Sequence, residues 1–239
     1  MIDPAVAGAL DRIASRANDV RGAYRAGFEP AASDVAAPAR VVRNEDPLSV
    51  SLPEGAFVAS PGPSGELQYG RDGTLRIADG ALAGLDGRPV LGFALGSRRS
   101  LAALRFDPYD AATGRIANPR IDADGTVSYD RASVDPRTGT RRSERVAVGR
   151  IALARFPAGT QPERIDGVHV RPPSGVGARF GVPGEGGFAP LTTHARDLGR
   201  VDVLAGLERM KEAYVAFEAL RAARHGRDGT AKIALDLVK

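Results

Sequence analysis

Tyr69-Gly70-Arg71-Asp72-Gly73-Thr74-Leu75-Arg76-Ile77-Ala78-Asp79-Gly80-Ala81-Leu82-Ala83-Gly84-Leu85-Asp86-Gly87-Arg88-Pro89-Val90-Leu91-Gly92 is the stretch that decides the fold class. Three Asp-Gly pairs, Asp72-Gly73, Asp79-Gly80 and Asp86-Gly87, recur in it at a constant seven-residue step. Asp-Gly accepts the positive φ angles of tight hairpin turns at little steric cost. Between the pairs lie Leu75-Arg76-Ile77 and Leu82-Ala83-Gly84-Leu85, short pieces with β potential. Such spacing predicts a meander of small strands.

Working outward, the same character extends through the middle of the chain. Asp124-Gly125 precedes Thr126-Val127-Ser128-Tyr129, and Val146 to Phe156 sets Val146, Val148, Ile151 and Leu153 among smaller or polar residues, so both are predicted strands. The Gly- and Pro-rich segment from Pro172 to Pro190 reads as loop. Composition agrees with a turn-rich β body: 239 residues are 43% hydrophobic and 26% charged but only 5% aromatic, with 29 Gly and 17 Pro.

Both ends carry a different period. Val6, Leu10, Ile13, Ala17, Val20 and Tyr24 step by 4, 3, 4, 3 and 4, which is the seam of a coiled-coil helix over residues 2 to 24. Asp3 can cap it, and Pro4 suits the first helical position, where its missing N–H costs nothing. Gly27-Phe28-Glu29-Pro30 ends it, and Ala31 to Arg40 is an Ala/Pro-rich extended connector. Near the other end Val203, Leu207, Met210, Tyr214 and Phe217 step by 4, 3, 4 and 3. The run His225-Gly226-Arg227-Asp228-Gly229 should interrupt this second helix, leaving Ile233 to Val238 as a separate turn or strand. The expected class is α+β: terminal helices pairing with each other or with neighbours, around a mainly antiparallel β domain. Its divisions are 1–30 (helix and exit turn), 31–45 (connector), 46–195 (β-rich domain) and 196–239 (helix and tail).

A search for chemistry yields little. Without cysteine, disulfides and thiolate metal sites are excluded. His169, His194 and His225 each have an Asp three residues away (Asp166, Asp197 and Asp228), yet none has a second His nearby, so no local segment supplies three ligands for a catalytic zinc. There is no G-x-S-x-G elbow and no Walker A sequence. The loop from Gly175 to Gly181 lacks dinucleotide-loop spacing and is followed by Val182-Pro183 instead of a helix. Asp122 and Asp124 are a carboxylate pair, but Asp122 borders a hairpin turn and serves to stabilise it. No enzymatic activity and no cofactor are therefore expected. The formal charge of +4 is carried mostly by Arg scattered among Asp and Glu, with no aromatic platform, so a solvated surface is expected and no nucleic-acid partner. No run approaches the roughly 20 apolar residues that span a bilayer, and no secretory signal opens the sequence.

Four segments resemble the rod and hook proteins of the bacterial flagellum. The first is Ala17-Asn18-Asp19-Val20 with Gly27-Phe28, similar to the family's I-A-x-N-L-A-N-x-x-T-x-G-F; Arg16, Gly22 and Arg25 depart from it. The second begins Leu48-Ser49-Val50-Ser51-Leu52 and Gly55-Ala56-Phe57-Val58. It continues through Tyr69 to Ile77, including Arg71, Asp72 and Gly73, and then Asp86-Gly87-Arg88-Pro89-Val90-Leu91-Gly92. Third, Ile121 to Val127 and Val148 to Phe156 look like I-x-x-D-G-x-V and V-G-x-L-x-L-A-x-F. Fourth, Val201-Asp202-Val203 and Met210 to Glu218 resemble N-V-D-x and M-I-x-A-Q-R-A-Y-E. The four occur in family order across nearly the whole chain.

This resemblance implies a structural subunit of the flagellar basal-body rod, with terminal helices paired in an inner tube and the β domain outside. The implied partners are copies of itself, other flagellar axial proteins and the type III export apparatus, with export lacking a cleaved signal. Hook proteins are normally longer, so the length favours a rod component. Assembly would run through the seams Val6, Leu10, Ile13, Ala17 and Val20 with Leu207, Met210, Tyr214 and Phe217. Asn18, Gly27 and Phe28 would fix the exit from the first helix. A competing expectation is a secreted or periplasmic monomeric β-rich module for binding or adhesion. A third, an enzyme acting on cell-wall glycan, would need acids converging in a cleft.

Overall fold

The structure, a computed structural model, describes residues 4–28, 30, 36–38, 40–97, 100–106, 116–134, 137 and 141–237, with the backbone course alone at 132–134, 141 and 227–237. Helices α1 (Pro4–Gly22) and α2 (Val203–Leu237) come first and last in chain order. Between them run β1 (Val41–Arg43), β2 (Val50–Ser51), β3 (Phe57–Pro61), β4 (Leu67–Gly70), β5 (Arg76–Ala78), β6 (Ala81–Ala83), β7 (Leu91–Phe93) and β8 (Ala102–Ala103). There follow β9 (Ala117–Ile121), β10 (Thr126–Val134), β11 (Arg141–Ile151), β12 (Leu153–Arg155), β13 (Glu163–Arg164), β14 (His169–Arg171), β15 (Arg179–Gly181), β16 (Thr192–Thr193) and β17 (Ala195–Asp197). The class is α+β, and the strand pairs described are antiparallel.

Two of the three Asp-Gly pairs form turns as their chemistry demands. Asp79 and Gly80 both take positive φ, 48° and 71°, and close β5 onto β6 with a two-residue loop between Ala78 and Ala81. Gly87, at φ 83°, donates its N–H to the Gly84 carbonyl at 3.0 Å. Asp72-Gly73 does something else. Gly73 does not take positive φ; its missing Cβ admits the Val50 carbonyl, and Val50 N–H donates back to Gly73 O at 2.9 Å. The tight turn expected there is absent because close backbone approach, the other use of glycine, is what this position needs.

The chain divides into two compact units. One comprises Ala26–Phe28 and Ala39–Leu198, the other Met1–Arg25, Glu29–Pro38 and Gly199–Lys239. The β unit holds a six-stranded sheet in the order β13-β14-β4-β3-β12-β15 and a five-stranded sheet in the order β8-β7-β11-β10-β9, besides the ribbons β1-β17, β2-β16 and β5-β6. The segment predicted as one strand, Val146 to Phe156, passes between the sheets: β11 ends at Ile151 in the smaller sheet and β12 begins at Leu153 in the larger. Ala152 at the corner is fully buried and donates its N–H to Leu91 O at 3.2 Å. Val50, Leu82, Ile121, Val127, Ile151 and Leu153 are fully buried around this corner; each contributes about 1.5–3 kcal/mol by leaving water.

Several expectations need correcting. Val41–Arg43, assigned to the connector, pairs with β17 and belongs to the β unit. The Pro172 to Pro190 segment contains β15, which pairs with β12 across Leu153↔Gly181 and Arg155↔Arg179; at a sheet edge the partner strand supplies what local propensity lacks. Most plainly, α2 runs unbroken through Gly226 and Gly229 to Leu237, so Ile233 begins no separate element. Each glycine costs about 1 kcal/mol in a helix interior, and a run otherwise rich in Ala, Leu, Arg and Lys, without Pro, outweighs that. Val238, Asp3 and residues 31–35 of the connector lie outside the described residues, so the Asp3 cap does too. Pro4 does occupy the first position of α1.

In the helical unit α1 and α2 lie side by side. Asp202 caps α2, accepting the Ala205 N–H on Oδ1 at 3.0 Å. Gly199 stands where any Cβ would overlap the Gly22 carbonyl, and a Cβ on Gly206 would come 2.9 Å from Val20 Cγ2. Small residues set this approach, as they do wherever helix backbones come close.

Candidate assembly surface

Within the β unit, residues far apart in sequence meet at one point. Gly27 takes φ 67°, and a Cβ there would overlap the Arg71–Asp72 peptide. A left-handed φ costs a non-glycine residue roughly 1–2 kcal/mol before any overlap. Phe28 is fully buried, with the Arg164 guanidinium 5.7 Å from its ring centroid. Asp72 accepts the Thr74 N–H at 2.9 Å, and Gly73 presses on Val50.

Arg71 is the hub of this region. At 3% exposure, its Nη1 donates to Pro53 O at 3.1 Å and Ala56 O at 2.6 Å, and its Nη2 to Leu52 O at 3.2 Å and Asp197 Oδ2 at 3.2 Å. Asp197 is also buried and accepts from Ser51 Oγ. A guanidinium offers five donors in a fixed fork, so one side chain ties β17 and the turn before β3 to the strand leading out of β4. The Phe57 ring lies 5.9 Å from the Arg71 guanidinium and 5.2 Å from Phe156. Asp86 Oδ1 accepts the Arg88 N–H at 3.1 Å, and Pro89 bridges to Ala83.

On the helices the seam residues divide. Val6, Ile13, Ala17 and Val20 are half-buried and Leu10 is exposed; Met210 and Phe217 are half-buried and Leu207 and Tyr214 exposed. Asn18 lies exposed on α1, whereas Ala9, Asp19 and Gly22 are the buried residues of that helix. Tyr24, the last residue of the first 4-3 spacing, lies beyond the end of α1 and is exposed at 73%, and two large apolar side chains outside the seam, Leu204 at 69% and Val215 at 58%, also face solvent. The buried residues of α1 are thus Ala9, Asp19 and Gly22, with Val20 turned toward Gly206, while Leu10 on α1 and Leu204, Leu207, Tyr214 and Val215 on α2 stay exposed.

The histidines do not converge. His169 Nδ1 lies 2.8 Å from Asp166 Oδ2, and its Nε2 3.4 Å from Asp86 Oδ2. Burial works against the Asp166 charge, but hydrogen bonds from the Val168 amide and from the His169 ring and amide outweigh it and hold its carboxyl below the ordinary range. Asp197, expected beside His194, instead serves Arg71. Asp228 has no described side chain. Among the described residues no three His, Asp or Glu are grouped to hold a metal ion, and no helix is long and apolar enough to cross a membrane. The described residues also line two open hollows, one of about 470 Å³ over Phe93, Leu101, Phe180, Val182 and Phe188, and a polar one of about 730 Å³ over Arg43, Glu45, Thr193 and His194.

No family model matches the chain, and no curated protein matches it in sequence.

The motif positions Gly27, Phe28, Arg71, Asp72 and Gly73 thus gather at one place in the β unit. Sequence reasoning missed Asp197 as the Arg71 partner and Ser51 as a donor to Asp197, and Gly199 and Gly206 as the close-approach points of the helical unit. Gly206 did leave a signal, being a glycine in an otherwise helical pattern.

Proposed function

We propose that this chain is a structural subunit of the bacterial flagellar basal-body rod, assembling with copies of itself and with other axial proteins into a helical polymer. The observation that carries the reading is the exposure of large apolar side chains on the helical unit, Leu204, Leu207, Tyr214 and Val215 on α2 and Leu10 on α1. Apolar patches of that kind mark interaction surfaces on soluble proteins. The resemblance supplies the identity of the polymer and, with it, export by the flagellar type III apparatus without a cleaved signal and residence in the basal body. On this reading the helices carry assembly and the chain performs no catalysis.

A second reading, a secreted or periplasmic monomeric binding or adhesion module, draws on a specific observation: α1 and α2 already lie against each other within one chain. Exchanging Leu207 and Phe217 for Asp separates the two. In a polymer subunit the double variant stays monomeric at concentrations where the wild type sediments as filament, and its β signal in circular dichroism is unchanged. Each lost apolar contact is worth about 1.5–3 kcal/mol, so the critical concentration rises more than tenfold. A wild type that stays monomeric at every concentration, with both helices resistant to protease, establishes the compact module instead.

A further inference from the structure

We propose that His169 is a pH-sensitive clasp, which fastens the Asp86 turn to the β13–β14 hairpin while its ring carries two protons and releases Asp86 when it carries one. The clasp lies within the β unit and stands whether or not the chain polymerises. His169 opens β14 and pairs with Gly70 of β4. Its side chain is 12% exposed, so water covers little of the ring. Two carboxylates from different turns face its two nitrogens. Asp166, in the turn before β14, places Oδ2 2.8 Å from Nδ1. Asp86, in the turn between β6 and β7, places Oδ2 3.4 Å from Nε2.

The chemistry of imidazole decides which state this arrangement fits. An ionised carboxylate only accepts, so Nδ1 holds a proton wherever Asp166 is charged. Burial opposes that charge, yet the Val168 amide and the His169 ring and amide keep Asp166 ionised well into acid. A neutral imidazole has a single N–H. With that proton on Nδ1, Nε2 turns a lone pair toward the Asp86 oxygen, and the contact is repulsive. The imidazolium is a donor at both nitrogens, and only then does Nε2 attract Asp86. Histidine changes charge between about pH 5 and 8, so the clasp closes toward the lower value and opens toward the higher.

Asp86 keeps a second partner in either state. Its Oδ2 lies 3.2 Å from Arg88 Nε, and its Oδ1 accepts the Arg88 N–H at 3.1 Å. Arg88 also donates to Gln68 Oε1, and the Gln68 amide donates to Glu66 Oε1 at 2.9 Å, which ties the turn to β4. From β5, Arg76 donates to Gly84 O at 3.4 Å. The charged groups facing the ring are thus Asp166 on the hairpin and Asp86 with Arg88 on the turn, with Glu66 beyond Gln68 and Arg76 beyond Gly84. Loss of the ring proton leaves Asp86 to Arg88 alone.

The test is a double-mutant cycle on the full-length protein, His169→Gln with Asp86→Asn, read as the urea midpoint of the β signal in circular dichroism at about pH 5.5 and about pH 8. Near the lower pH the midpoint shifts of the two single variants should add to more than the shift of the double variant. Near the higher pH they should add to it. A second cycle, Asp86→Asn with Arg88→Gln, is the control: arginine stays charged throughout, so its coupling should be present at both values. A His169–Asp86 coupling of equal size at both, or none near the lower one, overturns the clasp. If His169→Gln does not fold, Asp86→Asn alone answers. Its midpoint shift should be larger near the lower pH, and equal shifts overturn the proposal.

Discussion

Replacing Arg71 by Met removes a buried guanidinium and leaves a carboxylate behind. Arg71 and Asp197 are each about 3% exposed in their side chains, and three carbonyls, those of Leu52, Pro53 and Ala56, lose the hydrogen bond from the guanidinium at the same time. Breaking a buried pair from one side costs about 3–5 kcal/mol, most of it the charge left without its counterion. In a cooperative unit of this size each kcal/mol moves Tm by about 2–4 °C, so Arg71→Met should lower Tm by roughly 6–20 °C. The assay is urea unfolding followed by far-UV circular dichroism, on Arg71→Met, Asp197→Leu and the double variant. Removing both partners takes the stranded charge away, so the double variant should be less destabilised than the sum of the two singles by about 1 kcal/mol or more. A single-variant cost below about 1 kcal/mol, or strict additivity, would refute the placing of Arg71 at the centre of this network.

Gly27→Ala should destabilise the β unit by at least about 1–2 kcal/mol, because the new methyl meets the Arg71–Asp72 peptide. Gly55→Ala, at nearly the same φ but with nothing within 4 Å, isolates the conformational part, and equal costs in urea unfolding would dismiss the overlap. For pH, Asp166 has a folded-state pKa below its ordinary 3.8. Its contribution is therefore complete above the unfolded value and is lost as pH falls below about 3.8 through the folded one. Asp166→Asn should flatten the acid limb of stability against pH and leave the curve at neutral pH parallel to the wild type; an unaltered acid limb counts against the hydrogen bonds assigned to that carboxylate.

The features legible in the sequence are those that rest on local chemistry. Asp79-Gly80 and Asp124-Gly125 encode their turns because positive φ is a property of the residues themselves, and Gly125 indeed sits at 80°. The 4-3 spacing revealed both terminal helices because apolar period is set by helix geometry. Legibility failed where distant chain decided the matter. Asp72-Gly73 carries the same letters as a turn, but Val50, arriving from far earlier in the chain, occupies the space a side chain would fill. The break expected at Gly226 failed because two local penalties lost to a long favourable run. Which face of α1 turns inward was hidden as well: the heptad marked Leu10, whereas Ala9, Asp19 and Gly22 are buried. Composition and period by themselves determined that this is a β body with a helix at each end. That Arg71 would find Asp197 126 residues away, and that one strand run would bend at Ala152 to serve two sheets, only the tertiary structure decided, because buried charges and sheet corners take their identity from partners that no local window contains.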